Sequence, residues 1–147
     1  MEIKGFKAFL PGLKTLEGNP KLEVGNKYHV DGPVIFNRNG FHFCKRLEDT
    51  LHFFSGYKSD IDICEVIGSG DIHQTWSDYY GYYDLYAASD LEIVRQLSRL
   101  EILKMYKEIA QNYSDIRISR FLRYYPNLTQ EELEYMGVKD KTYTFYY

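Results

Sequence analysis

The spacing of hydrophobic and polar positions changes near Leu97, and that change divides the chain. Upstream, apolar residues mostly alternate with polar ones between turn residues; downstream, they recur every three or four positions. Ile3 to Phe9 alternates, with Ile3, Gly5, Lys7 and Phe9 on one face and Lys4, Phe6 and Ala8 on the other. Pro11-Gly12 ends this first predicted strand. Asn26 to Val30 reads as a short strand, Asp31-Gly32-Pro33 as a turn, and Val34 to Phe36 as a further strand candidate. Ile61 to Gly68 (IDICEVIG) is rich in β-branched residues and has the pattern of an interior strand. Gly68 and Gly70 then predict a bulge or tight bend before Asp71 to Trp76. Leu91 to Leu97 predicts a last strand, with Leu91, Ile93, Arg95 and Leu97 on one face.

Between these strands lies Gly40 to Phe54, GFHFCKRLEDTLHFF, which reads as a strand turning directly into a short helix. Phe41 and Phe43 share one strand face, and His42 and Cys44 the other. After Lys45, the residues Leu47, Leu51 and Phe54 fall on one helical face, with Glu48 and Asp49 in the first turn, where the helix dipole favours acids. From Ser98 onward the pattern is helical. Ile102, Tyr106, Ile109 and Tyr113 form one stripe, and Ser114 is placed to cap a second helix carrying Ile118, Phe121, Leu122 and Tyr125. Thr129 and Glu132 have capping-box spacing ahead of a third helix, and Gly137 fits its stop. The predicted fold class is α+β: a twisted, mainly antiparallel sheet with one short helix at about residues 46–54, followed by a three-helix C-terminal subdomain. The expected organisation is an α+β domain over 1–97 and a helical extension over 98–147 packed on it, whose tail KDKTYTFYY adds an edge strand or stays loose.

Composition changes this picture in one respect. The 44% hydrophobic and 27% charged fractions are ordinary for a globular chain, but 15 tyrosines and nine phenylalanines are not. Such a surplus serves an aromatic core or a tyrosine-lined contact surface. A net charge of −3 gives no general attraction to nucleic acid or to an anionic membrane. No apolar run reaches the roughly 18 residues of a membrane-spanning helix. The start MEIKGFKAFLPG lacks a signal-peptide pattern, so Cys44 and Cys64 are expected as free thiols and the compartment as cytoplasmic.

The segments KGFKAF, EVGNKYHVDG, NGFHFCKRLEDTLHFF, DICEV and DLEIVRQL follow one another in an order and spacing that resembles an uncharacterised family of small domains. That family is common in phages, prophages and large DNA viruses, and has Y-x-V-x-G and G-F-H-x-C segments and a closing strand like I-V-R-x-L. The resemblance covers about residues 4–97 and implies a viral setting, with the host cytoplasm as location, but no assigned chemistry. A weaker likeness, of architecture, is to ADP-ribosyltransferase-like domains. It implies a nucleotide pocket for NAD, with Lys7 near the first-strand position that holds the dinucleotide, His42 at the position of the second motif's aromatic, and Asp90 or Glu92 as the acid near the last strand.

Three kinds of chemistry compete at the candidate residues. His42, Cys44 and Cys64, with His29, His52 or His73 as a fourth ligand, have zinc-type donors, but without a paired-cysteine knuckle no metal is expected. Cys44 or Cys64 beside His42 or His73 would make a nucleophile pair, yet both cysteines alternate with hydrophobes in core-type strands, where thiols are usually inert. The best contact candidate is WSDYYGYYDLY, residues 76–86: Trp76, Asp78, Tyr79, Tyr80, Tyr82, Tyr83 and Asp84, with Tyr86 behind them. Trp and Tyr are the residues of protein-contact hot spots, and the two acids suit a partner with donor groups; the alternative is a hairpin whose rings cover the sheet. Arg117, Arg120 and Arg123 recur every three residues, but acids balance bases over 98–137, which argues against DNA. The expectation is a viral or phage accessory protein without enzymatic activity or cofactor. It would bind a host or viral protein, and could inhibit a host protein or defence complex. A homo-oligomer is left open, and the alternative is a divergent ADP-ribosyltransferase-like or nucleotide-binding enzyme.

Overall fold

Alternation of apolar residues on two faces lets a strand bury both sides, and here the sheet uses both. The structure, a computed structural model, describes residues 1–15, 21–54, 60–77, 83–112 and 121–138. Five strands, β1 (Glu2–Phe9), β2 (Lys27–His29), β3 (Phe41–Cys44), β4 (Asp62–Ser77) and β5 (Tyr83–Gln96), form one sheet whose described pairings are all antiparallel. β1 pairs with β4 from Phe9↔Asp62 to Glu2↔Ser69, and β4 pairs with β5 from Cys64↔Gln96 to Ser77↔Tyr83. The other edge of β5 is shared by β3, at Leu85 to Ala88, and β2, at Asp90 to Glu92. β3 meets β1 at Phe6↔Cys44, so β1, β4, β5 and β3 close on themselves.

The inner cluster holds Phe9, Leu13, Leu22, Phe43, Cys64, Val66, Tyr86, Ala88, Leu91 and Ile93. Phe43 is 1% exposed and stacks on Tyr86 with ring centroids 5.4 Å apart. Its ring lies where two glycines have no side chain. A Cβ on Gly68 would stand 2.4 Å from the ring, and one on Gly5 would stand 2.4 Å from the Cys44 carbonyl oxygen and 3.0 Å from the ring. A β1 residue with any side chain at position 5 would hold β3 away and open the ring.

The second core lies on the other face of β1 and β4. Leu47, Leu51 and Phe54 of the helix Leu47–Phe54 pack there with Ile61, Ile63, Leu97 and the C-terminal helices. Their spacing predicts the buried face correctly, although the backbone is a 3₁₀ helix: Asp49 N–H bonds the Arg46 carbonyl, and Thr50 Oγ1 bonds the Leu47 carbonyl at 2.7 Å, both three residues back. Helix α1 (Arg99–Asn112), the helical turn 121–124 and α2 (Gln130–Tyr135) cover this core, with Tyr106 stacked on Phe121 and donating its hydroxyl to the Leu47 carbonyl. The Thr129–Glu132 capping box forms, and Gly137 follows with φ +78°. The predicted second cap, Ser114, and the tail from residue 139 lie outside the described residues.

The fold class is thus α+β, with local differences from the pattern. The last strand starts at Tyr83, not at Leu91. Val34 to Phe36 is not a strand, because Ile35 bridges to Asn39 around a tight turn with Asn37 at φ +64°. β4 does not stop at Gly68: the predicted bulge, a register shift between Ser69 and Ile72, lets it run on to Ser77. Arg95 does not share the face of Leu91 and Ile93. A second bulge opposes Glu65 to Arg95 and Val66 to Ile93, leaving Val94 extra and turning Arg95 to solvent, where it pairs with Glu65 and Glu101.

Arg99 ties the C-terminal unit to the start of α1. Its guanidinium bonds both Glu132 oxygens, at 2.6 and 3.0 Å, and the carbonyls of Pro126 and Asn127. Mainly through Arg99, the Glu132 pKa is held down from 4.5 to about 2. A lowered carboxylate pKa means stability that is present above pH 4.5 and lost as pH falls towards about 2. Discounted for the solvent reaching Arg99, the pair contributes about 1–2 kcal/mol. Acid titration by circular dichroism is expected to show this loss in wild type and to lack that component in Arg99→Gln. In urea unfolding, Gly5→Ala is expected to cost about 2–4 kcal/mol, since a backbone carbonyl cannot swing aside; a cost under about 0.5 kcal/mol would contradict the tight closure at β3.

Candidate functional site

The β3 motif places His42 opposite Ala87, with its carbonyl accepting a hydrogen bond from Lys7 Nζ at 2.5 Å. The His42 imidazole is occupied structurally: Nε2 accepts the Asn37 N–H at 2.9 Å, and the ring lies edge-on to Phe36. It therefore caps the tight turn at Asn37. The cavity beside it, lined by Phe6, Lys7, Ala8, His42, Phe43, Cys44 and Thr50, measures about 20 Å³. That holds one water, whereas small-molecule and cofactor pockets occupy roughly 300–1,000 Å³. Burial, with Asp49 adding to it, pushes the Cys44 thiol well up; burial, then Asp62, pushes Cys64 up to about 12. Neither thiol ionises near neutral pH, so neither is an activated nucleophile.

Lys7 and His42 meet, but Asp90 and Glu92 stand on the β2 ladder and do not line that cavity. Glu92 faces Lys27 at 3.5 Å. Asp90 belongs to a cluster that the sequence pattern did not reveal. Its Oδ1 contacts His29 Nδ1 at 2.8 Å, its Oδ2 accepts the Ser89 hydroxyl at 2.7 Å, and His29 Nε2 contacts Asp31 at 3.0 Å. Although Ser, Asp and His are all present, the carboxylate lies between the other two, so the imidazole cannot take the serine proton as a catalytic triad requires. The cluster acts as a clasp, joining β2 and the following turn to β5. Only the β2–β5 register brings residue 29 opposite residue 90. Among the described residues, no three His, Cys, Asp or Glu side chains are arranged to hold a metal ion.

Of the tyrosine-rich stretch, residues 76–77 end β4 and residues 83–86 begin β5. Trp76 opposes Asp84 and Ser77 opposes Tyr83, with Trp76 and Tyr83 placed by their backbones alone. Asp78, Tyr79, Tyr80 and Tyr82 lie outside the described residues, as do Arg117 and Arg120. Tyr86 faces inward and is buried beside Phe43, so it belongs to the core. Asp84 is held from two sides: its N–H donates to Asp49 Oδ2 at 3.0 Å, and its own Oδ1 accepts Gln74 Nε2 at 2.7 Å. Asp49 is fully buried and is also held by Arg46 at 2.8 Å. The strand–helix motif thus holds the start of β5, one residue from the last described pair, Ser77↔Tyr83. A separate open groove of about 400 Å³, lined by Lys4, Phe6, Glu65, Ile67 and Val94 among others, crosses the sheet between β1 and β4; Arg95 already holds its carboxylate, Glu65.

A closed, mainly antiparallel sheet with its helices gathered on one side is a class of small α+β domain. The chain belongs to the family described as Domain of unknown function (DUF7666), whose model matches residues 3–105. The match covers the five strands and reaches into α1. Neither the curated proteins nor the solved structures give a match. Among the described residues, no helix is long and apolar enough to cross a membrane.

The clasp carries a pH dependence. The Asp90 and Asp31 carboxylates raise the His29 pKa above 6.5. A raised histidine pKa means stabilisation that is fully present below pH 6.5 and lost as pH rises through the folded-state value. Imidazole titration by NMR is expected to give a His29 midpoint above 6.5, and Asp90→Asn should move that midpoint down. An unchanged midpoint in the variant would show that the contact with Asp90 is not maintained in solution.

Proposed function

We propose that the protein is a phage or viral accessory protein that acts by binding a protein partner, such as a host protein or defence complex, in the host cytoplasm. Its contact surface is the end of the β4–β5 hairpin. One observation supports this reading: the segment richest in Trp and Tyr, residues 76–86, joins β4 to β5, and the start of β5 is held by a buried carboxylate, Asp49, which accepts the Asp84 N–H. Aromatic residues on a rigid support are efficient anchors, because little side-chain freedom is lost on binding. Asp78 and Asp84 add acidic character and suit a partner with basic or amide donors. The motif residues Cys44, Cys64 and His42 are taken up by packing and turn capping, which supports a binding role over chemistry at that motif.

The test is affinity capture from host lysate with wild type and with Tyr79→Ala/Tyr80→Ala/Tyr83→Ala. The triple variant is expected to keep its melting temperature within a few degrees and to lose at least about tenfold in partner recovery, as removal of hot-spot aromatics does. A folded triple variant that retains every partner would exclude the hairpin as the site. A wild-type melting temperature raised by NAD or nucleotides would favour the ADP-ribosyltransferase-like alternative instead.

A further inference from the structure

We infer that the open groove across β1 and β4 is a binding site for a small aromatic carboxylate. The inference goes beyond the partner-binding reading and does not depend on it. The groove measures about 400 Å³, within the roughly 300–1,000 Å³ of small-molecule sites. Lys4, Phe6, Glu65, Ile67 and Val94 line it, over the backbone of Gly5 and Val66. It lies on the sheet face that carries the second core further along, at the pair Ala8↔Ile63.

Register brings the apolar part together from three adjacent strands. Lys4 stands opposite Ile67 and Phe6 opposite Glu65, so β1 and β4 each contribute one apolar and one charged residue. Val94 joins them through the β5 bulge. Val66 pairs with Ile93 and Glu65 with Arg95, which makes Val94 the extra residue, and its side chain is 38% exposed. Phe6 and Ile67 are half-buried. Neighbouring strands lie about 4.8 Å apart, so the depression spans roughly 10 Å from β1 to β5. That is the reach of two fused rings and a carboxyl group. The Phe6 ring on one wall favours a flat aromatic body.

The charges select an acid. Among the described residues lining the groove, Glu65 is already spent: Arg95 donates to its Oε2 at 3.0 Å and to its Oε1 at 3.3 Å. Two more carboxylates on this sheet face are held as well, Glu92 by Lys27 at 3.5 Å and Asp90 by His29 at 2.8 Å. Lys4 is exposed and stands beside Ile67 at the β1 end of the apolar floor. Its ammonium can meet a carboxylate while its methylenes cover part of the ligand's body. Glu2 follows the same strand face two residues away, and competes with the ligand for Lys4.

The test is titration of the full chain with 2-naphthoate, followed by amide NMR shifts. Saturable shifts are expected at Lys4 to Phe6, Glu65 to Ile67 and Val94, with a dissociation constant on the order of 1 mM or below, the range of ligands this small. Lys4→Gln keeps the stem and removes the charge, and should weaken binding about threefold to fivefold, as loss of one exposed charge pair does. Val94→Asp sets a carboxylate on the apolar wall and should weaken it at least about tenfold, with the circular dichroism spectrum unchanged. Glu2→Gln should bind at least as tightly as wild type. The cationic analogue 2-naphthylmethylammonium should bind at least about threefold more weakly than 2-naphthoate. Absence of saturable shifts at these amides up to 10 mM naphthoate, about tenfold above that constant, would overturn the inference. So would equal binding of the cationic analogue, weaker binding by Glu2→Gln, or undiminished binding by folded Lys4→Gln or Val94→Asp.

Discussion

The contact of the Phe43 ring with two bare glycine positions is the constraint on which the rest of the structure depends. Four strands can close into so small a ring only if the interior is filled and the strand crossings are close, and these demands conflict unless large and absent side chains are placed opposite each other. Phe43 supplies the volume, while Gly5 and Gly68 supply the room, Gly5 also admitting the Cys44 carbonyl. The ring in turn stacks on Tyr86, which carries the filling across to β5. That requirement explains why Gly40 to Phe54 organises the chain without being its chemical centre. With Phe43 committed to the interior, Cys44 is sealed at the β1 crossing, and His42 is left to cap the turn before it.

The motif's second half passes the same constraint to the outside. A buried carboxylate is tolerated only when its oxygens are satisfied, and Asp49 meets this with Arg46 and the Asp84 N–H. Removing any one of the three would leave a charge or a donor uncompensated in a region that also holds Cys44 and the fully buried Tyr106, whose ionised forms Asp49 disfavours. Strand β3, the 3₁₀ helix and the start of β5 are thereby locked as one unit. Apolar packing closes the sheet, and a satisfied buried charge ties the helix to it.

Those parts of the fold that follow a local period were legible in the sequence. The two faces of β1, the triplet Leu47, Leu51 and Phe54, and the Thr129–Glu132 cap all depend on spacing alone. Features set by register were not. Arg95 leaves the face of Leu91 and Ile93 because of one extra residue, Val94, and a one-residue shift reverses every later side chain. The first half of β5 was hidden because Asp84, Ser89 and Asp90 interrupt its apolar pattern, and each is explained by a specific partner: Gln74, the Asp71 N–H and His29. The His29 clasp joins residues 61 positions apart, and no local pattern encodes it. Of the candidate contact surface, only the composition was legible in the sequence, and the structure adds the hold on Asp84 at the start of β5.

The distribution of polar groups separates what this domain can present from what it must keep. Its thiols lie inside, its motif imidazole is bound to a backbone N–H, and the fully buried Asp49 is consumed in joining elements. The carboxylates at the surface of the sheet are committed in the same way: Asp90 to His29 and Ser89, and Glu65 to Arg95. Each polar group that a local reading singles out is thus used to hold register or closure, which is why none of them marks a chemical centre.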